Sequence, residues 1–372
     1  MPMPERILII GAGTAGLTIA ERIARVNPGL KVTILGTLDE RPQRLSFWRN
    51  RNSAATLTLP GAQSWSAWSF NTPLSGFCLQ RGTELDYVSF DARTYKRHLA
   101  DRLQQLGVSR IDGLVESVRK TPQGYSIEGA HIATEADIVI DTRPPKLPQS
   151  TLKQQFVGRT LTTGSPHSID HPVLMDFNID PIAPNGISFI YALPLSDTQL
   201  LVEATTFNYA QLAQQPYETA IQQWTDQHLP GIEISHSSEV EHGMLPMGPV
   251  TPRQAELVAA GLAGNAARHA TGYAFIGIQR QAEHYAAALR SGKPLTTINP
   301  YSSRSRWMDG LFLDLMQDNP TSLLRLFETM AHALHGDDFA HFLSDTGGWM
   351  PCLRTVAAAP KRPFLRALWQ RL

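Results

Sequence analysis

The sequence predicts an α/β fold of Rossmann-like type, with a β-rich insertion and a helical C-terminal part. Three observations predict it. An apolar strand, Arg6-Ile-Leu-Ile-Ile10, runs into a glycine turn, Gly11-Ala-Gly13-Thr-Ala-Gly16, and then into an amphipathic helix. A second apolar strand, Lys31-Val-Thr-Ile-Leu35, follows at the spacing of a βαβ unit. Far along the chain, Ile187–Leu193 and Gln199–Thr206 flank a polar turn, Ser196-Asp197-Thr198, as in a β-hairpin of a separate sheet.

In the first unit each glycine has a physical reason. Gly11 permits the tight turn, Gly13 lets backbone N–H groups approach a phosphate, and Gly16 lets the helix lie close on the strand. The helix N-terminus at Ala15 favours an anion. Together these features point to a bound adenine dinucleotide. The helix, Ala15 to Val26, stops at Asn27-Pro28-Gly29. An acidic residue usually ends the second strand and accepts the ribose hydroxyls. Gly36 stands there, so Asp39 or Glu40 is the expected substitute.

Residues 45–80 are rich in Trp and Ser, with alternation in Thr56-Leu-Thr-Leu59, and suggest short strands or loops outside the nucleotide core. Asp91 to Leu106 has helical spacing through Tyr95, Leu99 and Leu103. Val115–Val118, Tyr125–Glu128 and His131–Ala133 read as a β-meander leading into a buried strand, Ala136 to Asp141. Between about 155 and 240, apolar strands alternate with polar turns. Arg306 to Leu334 reads as two helices split at Asn319-Pro320.

Composition excludes several classes. The chain has 33 Lys and Arg against 33 Asp and Glu, so no bulk charge draws nucleic acid. Cys78 and Cys352 are too few for a disulfide framework or a thiolate metal site, and the start Met-Pro-Met-Pro-Glu-Arg is no secretory signal. The expected compartment is the reducing cytoplasm. No stretch reaches the roughly 18 apolar residues of a spanning helix, so any membrane contact is peripheral. His332, His335 and His341 lack a matched carboxylate, and no metal site is expected. A Gly-x-Ser-x-Gly elbow and a lysine-containing phosphate loop are both absent, which removes hydrolase and kinase readings.

Several segments, in order, resemble the bacterial lycopene β-cyclase family of flavoproteins. They are Gly11-Ala-Gly-Thr-Ala-Gly16, Leu45-Ser-Phe-Trp48, Asp137-Ile-Val-Ile-Asp-Thr-Arg143, Gln155-Phe-Val-Gly158, Pro172-Val-Leu-Met-Asp176, Phe189-Ile-Tyr-Ala-Leu-Pro-Leu195, Leu200-Leu-Val-Glu-Ala-Thr205, and Gly264-Asn-Ala-Ala-Arg-His-Ala-Thr-Gly-Tyr273. The resemblance implies a GR2-type, flavin hydroxylase-like fold. It implies bound FAD, active when reduced, with NAD(P)H as electron donor. It implies ring closure on a linear carotenoid, lycopene or a related polyene, without net redox change. The implied division is an FAD domain from 1–60, 90–150 and 240–300, a substrate domain from 61–89 and 151–239, and a helical region, 301–372. Flavin contacts are implied at Gly11, Gly13, Ala15, Gly16, Asp141, Gly264, Asn265, Thr271, Gly272 and Tyr273. Asn265 stands where flavin hydroxylases more often have Asp. Thr271 and Gly272 are expected to open a long helix, Tyr273 to Leu289.

At Glu203 the residues themselves agree with this resemblance. Residues two apart in a strand share a face, so Leu201, Glu203 and Thr205 point one way and Leu200, Val202 and Ala204 the other. A lone carboxyl facing an apolar pocket stays protonated near neutral pH and suits a general acid toward an alkene. The bland alternative is a solvated edge-strand residue. The family usually has a second acid where this chain has Ala204, and alternation sends that side chain to the opposite face. Asp176 matches a family position and is the second candidate carboxylate; an exposed turn residue is its bland reading. The tail Pro360 to Leu372 mixes basic and apolar residues, and fits either an anionic bilayer surface or its own domain. Two rival functions share the fold: a flavin monooxygenase or prenyl reductase acting on an isoprenoid, and a non-catalytic polyene carrier.

Overall fold

The computed structural model describes residues 5–52, 57–130, 132–184, 186–238, 240–318 and 320–359. Strand β1 (Arg6–Ile10), helix α1 (Thr14–Val26) and strand β2 (Lys31–Leu35) form the βαβ unit. β1 and β2 pair in parallel, Ile9 opposite Ile34, and α1 buries Leu17, Ile19 and Ile23. Full burial of each such side chain is worth about 1.5–3 kcal/mol. Next come β3 (Arg44–Asn50), β4 (Gln63–Trp65), β5 (Ala67–Thr72), β6 (Gly76–Arg81) and β7 (Leu85–Asp91). Residues 57–59 are loop; Thr56 lies outside the described residues.

Helix α2 (Ala92–Gln105) begins where the Asp91 carboxylate accepts the Thr94 N–H at 2.7 Å. This is the usual way to satisfy an orphan N–H at a helix start. Asp91→Ala is therefore expected to lower stability by about 1 kcal/mol in urea unfolding. The chain continues through β8 (Ser109–Ile111), β9 (Val115–Thr121), β10 (Gly124–Gly129), β11 (Ile132–Ala136) and β12 (Ile138–Asp141). β9 to β11 form the antiparallel meander; His131 lies outside the described residues.

The remaining strands are β13 (Lys153–Thr163), β14 (Val173–Asp176), β15 (Ile187–Ser196), β16 (Gln199–Asn208), β17 (Ile234–Ser237), β18 (Glu241–Pro246) and β19 (Val258–Ala259). Helix α3 (Gln215–His228) precedes β17. After β19 come a 3-10 turn (Gly261–Gly264), α4 (Phe275–Arg290), α5 (Ser303–Asp318), α6 (Pro320–Ala333), α7 (Gly336–Ser344) and α8 (Met350–Ala358). Asn319 and the tail 360–372 lie outside the described residues.

Two sheets position the site. The parallel sheet runs β19-β12-β1-β2-β8, with α1 and α4 packed together beside it. The larger sheet runs β17-β13-β16-β15-β14-β5-β6, with β18 also paired to β13. One face of the larger sheet buries Leu200, Val202 and Ala204 against Ile221 and Trp224 of α3. The other face buries Leu201, Phe189 and Phe207 in a core with Leu315, Phe327 and Phe339 from the C-terminal helices. Both faces are thus largely covered, and the Glu203 and Tyr191 side chains are half-buried between them. A smaller sheet, β3-β7-β4, lies over this second face.

One expected boundary moves. The helix expected at Tyr273 starts at Phe275, because Gly272 (φ +72°) closes a tight turn in which its N–H bonds the Arg268 carbonyl at 2.8 Å. A left-handed residue cannot lie inside an α-helix. No helix of the described residues is long and apolar enough to cross a membrane.

Candidate active site

The glycine turn has the shape of a phosphate cradle. Gly11 (φ +110°) donates its N–H to the Leu35 carbonyl at 2.8 Å and backs onto Thr142, whose Oγ1 would lie 2.4 Å from an added Cβ. At Gly16 an added Cβ would lie 1.9 Å from the Gly11 carbonyl oxygen, so only glycine lets α1 approach β1. Gly13, the N-cap of α1, differs: an added Cβ meets nothing within 4 Å. The cradle is therefore closed behind and open in front, where the helix N–H groups emerge.

A second loop completes the surround. Gly261 packs on Ala15, with an added Cβ 2.8 Å from the Ala15 Cβ, and Asp141 ends β12 beside Ile10. Gly264 is pressed against the Ala259 carbonyl. Asn265 is left-handed (φ 58°), and its Oδ1 accepts the Val250 N–H at 3.0 Å. The Asp141 carboxylate is gripped by Arg143 at 2.9 and 2.7 Å. Asp39 is held by Arg41 at 2.9 and 3.0 Å with Lys96 at 3.6 Å, and Glu40 by Arg97. The Arg41 hydrogen bonds hold the Asp39 carboxyl down to about 2. Thr271 Oγ1 and Gln154 Oε1 are buried without a hydrogen-bond partner among the described residues, at the loop where Gly272 touches Gln154. Buried polar atoms normally have partners. An open cradle and an orphaned hydroxyl on the loop that follows Gly264 fit a dinucleotide cofactor that supplies the missing contacts.

Glu203 lies on the second face of the larger sheet, in a row fixed by pairing. Tyr191 of β15 stands opposite Glu203 of β16, Glu203 opposite Gly158 of β13, and Gly158 opposite Glu241 of β18. An added Cβ at Gly158 would lie 2.6 Å from Glu203 Cγ, so the Glu203 side chain lies across the glycine toward β18. The Glu203 carboxyl, unlike its strand-paired backbone, has no hydrogen-bond partner among the described residues. Burial, reinforced by the charge of Glu241 and opposed by Arg44, pushes its carboxyl well above the usual range. The Glu241 carboxyl is raised as well, again chiefly by burial.

Three tyrosines link this row to the Gly264–Tyr273 loop. The Tyr191 hydroxyl is 2.9 Å from that of Tyr87 and 2.9 Å from Ser46 Oγ, and Tyr87 is 3.3 Å from the Tyr273 hydroxyl. Trp48 packs on Tyr87 and Tyr273 at 4.8 and 5.1 Å between ring centroids. Burial raises all three phenols, so they remain neutral near pH 7. Next to the Glu203 row, a cleft of about 300 Å³ is lined by Arg44, Asp91, Thr160, Leu201, His236 and Glu241, among others.

Asp176 is not brought to this row. Its Oδ2 accepts the Trp224 indole N–H at 2.9 Å and lies 3.5 Å from His228 Nε2, while Oδ1 accepts the Asn178 N–H. That carboxylate fastens α3 to the opposite face of the sheet. Sequence reading missed Glu241, Arg44, Tyr87 and Tyr191. Tyr191 and Gly158 fall within quoted segments, but only strand register aligns them with Glu203. His341 bonds Thr346, and no cluster of metal-ligating side chains occurs among the described residues.

The model of the family described as Lycopene cyclase protein matches residues 6–367. A lycopene beta-cyclase from Paracoccus sp. (strain N81106 / MBIC 01143) is 26% identical, over 98% of this chain and 99% of that protein. One from Pseudescherichia vulneris is 27% identical over 65% of this chain, a match spanning 61% of that relative, less than two thirds of its length. Among solved structures, the flavin-dependent brominase Bmp2 aligns with a TM-score of 0.61 at 12% identity, covering 98% of this chain and 99% of its own. Built on the Rossmann-like FAD-binding fold, the chain belongs to the lycopene cyclase protein family.

Proposed function

We propose that this protein is a lycopene β-cyclase-like carotenoid cyclase. In this reading it closes the ψ-ends of a linear polyene, lycopene to γ- or β-carotene, by a redox-neutral, proton-initiated route. The observation that carries the reading is the tyrosine chain from the Gly264–Tyr273 loop to Glu203, a half-buried acid whose carboxyl has no hydrogen-bond partner among the described residues. FAD is the proposed cofactor, with NAD(P)H as its reductant. Gly13 and the α1 N-terminus would hold the pyrophosphate, and Thr271 and Asn265 would face the flavin. Bound and reduced, FAD supplies negative charge that favours a nearby carbocation.

The chain's own residues do the rest. The Glu203 O–H bond breaks as its proton passes to the less substituted carbon of the terminal double bond, whose π electrons form the new C–H bond and leave the positive charge on the other, fully substituted carbon. The neighbouring alkene attacks the resulting tertiary cation and closes the ring. A ring proton then returns to the Glu203 carboxylate, restoring both acid and net composition. The clustered aromatic rings of Trp48, Tyr87 and Tyr273 would favour a cation beside them and hold no strong base to quench it. The domain division read from the sequence and a peripheral membrane encounter, which delivers the polyene, belong to the same proposal. Glu203 serves as the acid without help from Asp176.

Two experiments test this. Anaerobic incubation with photoreduced FAD and liposomal lycopene is expected to yield a cyclic product of unchanged mass by chromatography and mass analysis. A product of altered mass would instead identify oxidoreductase chemistry. Thr271→Val is expected to weaken FAD binding about tenfold, the worth of one hydrogen bond, in a flavin fluorescence titration. The apoprotein's urea midpoint should not fall, because the variant removes an orphaned hydroxyl.

A further inference from the structure

We propose that Glu241 is the carboxylate partner of Glu203: the two side chains converge over Gly158 and share one proton, Glu203 holding it and Glu241 the charge. The proposal deepens the role given to Glu203 above and rests on that reading. Strand pairing places both residues directly opposite Gly158, one on each side. A side chain at Gly158 would separate them, and its Cβ alone would lie 2.6 Å from Glu203 Cγ. Two carboxylates this close, one buried and one half-buried, favour a single negative charge near neutral pH, because like charges repel more strongly where water is scarce.

The surroundings decide which one keeps the proton. Glu241 Oε1 accepts the Arg44 backbone N–H at 2.7 Å, and hydrogen bonds to the charged form favour it. Arg93 at the start of α2 also stabilises the Glu241 charge, while Asp91 opposes it. Glu241 lines the cleft, whereas Glu203 faces Tyr191 and has no donor of its own among the described residues. The Arg44 guanidinium, held by Gln63 and Ser89, offsets the single negative charge of the pair. Tyr87, Tyr191 and Tyr273 complete the titratable groups around Glu203 and remain neutral. Glu241 is thus a positioning residue: it acts through Glu203 by raising its proton affinity.

The test reads the proton directly and needs no substrate. Infrared titration of the whole protein, with the Glu203→Gln variant subtracted, isolates the protonated carboxyl band of Glu203. In the wild type the band should persist well above the ordinary carboxyl range. In Glu241→Gln, which keeps shape and the Arg44 contact, its midpoint should fall by about one pH unit or more. Glu241→Asp, which keeps the charge at shorter reach, should fall between the two and decides the matter if the Gln variant does not fold. A band present in the wild type but unmoved in both variants overturns the pair and leaves the acid role of Glu203 standing. A wild type without the band overturns both.

Discussion

Glu203→Gln is expected to lose cyclisation by about 10³-fold while keeping its fold, within the range a general acid supplies. The amide matches the carboxyl in shape, and Gly158 leaves the same room for it. It has no proton acidic enough to give to an alkene. A steady-state assay on liposomal lycopene, beside a flavin absorbance spectrum, separates lost chemistry from lost cofactor. Wild-type-like turnover in this variant would remove Glu203 from the mechanism.

Stability gives the same substitution a second readout. The folded-state carboxyl of Glu203 titrates above its unfolded value, so the native protein holds this proton where the unfolded chain has released it. Its contribution is fully present below the unfolded carboxyl range and is lost as pH rises toward the folded value. Glu203→Gln removes that titration. The variant should therefore gain stability relative to wild type between mildly acidic and mildly alkaline pH in urea unfolding. A stability difference flat with pH would mean that Glu203 is ionised in both states.

What was legible in the sequence was local. Gly11, Gly13 and Gly16 sit within one turn, and neighbouring backbone dictates their roles. The face of Glu203 followed from strand alternation, as did the burial of Ala204 on the opposite face against α3. Asp176 was harder, because β14 is short and its pairing with β5 and β15 shifts register, so alternation does not carry along it. Glu241 was invisible for another reason. Its place beside Glu203 depends on the pairing of three strands, with Gly158 distant from both residues in sequence. The start of α4 was misplaced because Thr271-Gly-Tyr273 reads as a helix opening, whereas Gly272 closes a turn against Gln154.

The largest stability effect is expected at Asp309. Arg268, in the Gly264–Tyr273 loop, is 1% exposed and bonds Asp309 of α5 at 3.1 Å, with a further contact to the Phe342 carbonyl. Burial raises the Asp309 carboxyl despite the arginine beside it, the mark of a pair that is costly to desolvate. Breaking such a pair is costlier than making it, since the remaining charge is left buried and uncompensated. Asp309→Asn keeps an acceptor for Arg268 but removes the charge, and should cost about 3 kcal/mol in urea unfolding. Arg268→Met combined with Asp309→Leu should recover most of that loss, because two apolar side chains leave no stranded ion. The loop is tied to this pair: the Arg268 N–H bonds the Tyr273 carbonyl at 2.9 Å, and the Gly272 N–H bonds the Arg268 carbonyl. Asp309→Asn should therefore also weaken flavin binding from a position outside the proposed cofactor contacts. A variant with wild-type stability would show that Arg268 finds compensation elsewhere, and the link from α5 to the flavin loop would fall with it.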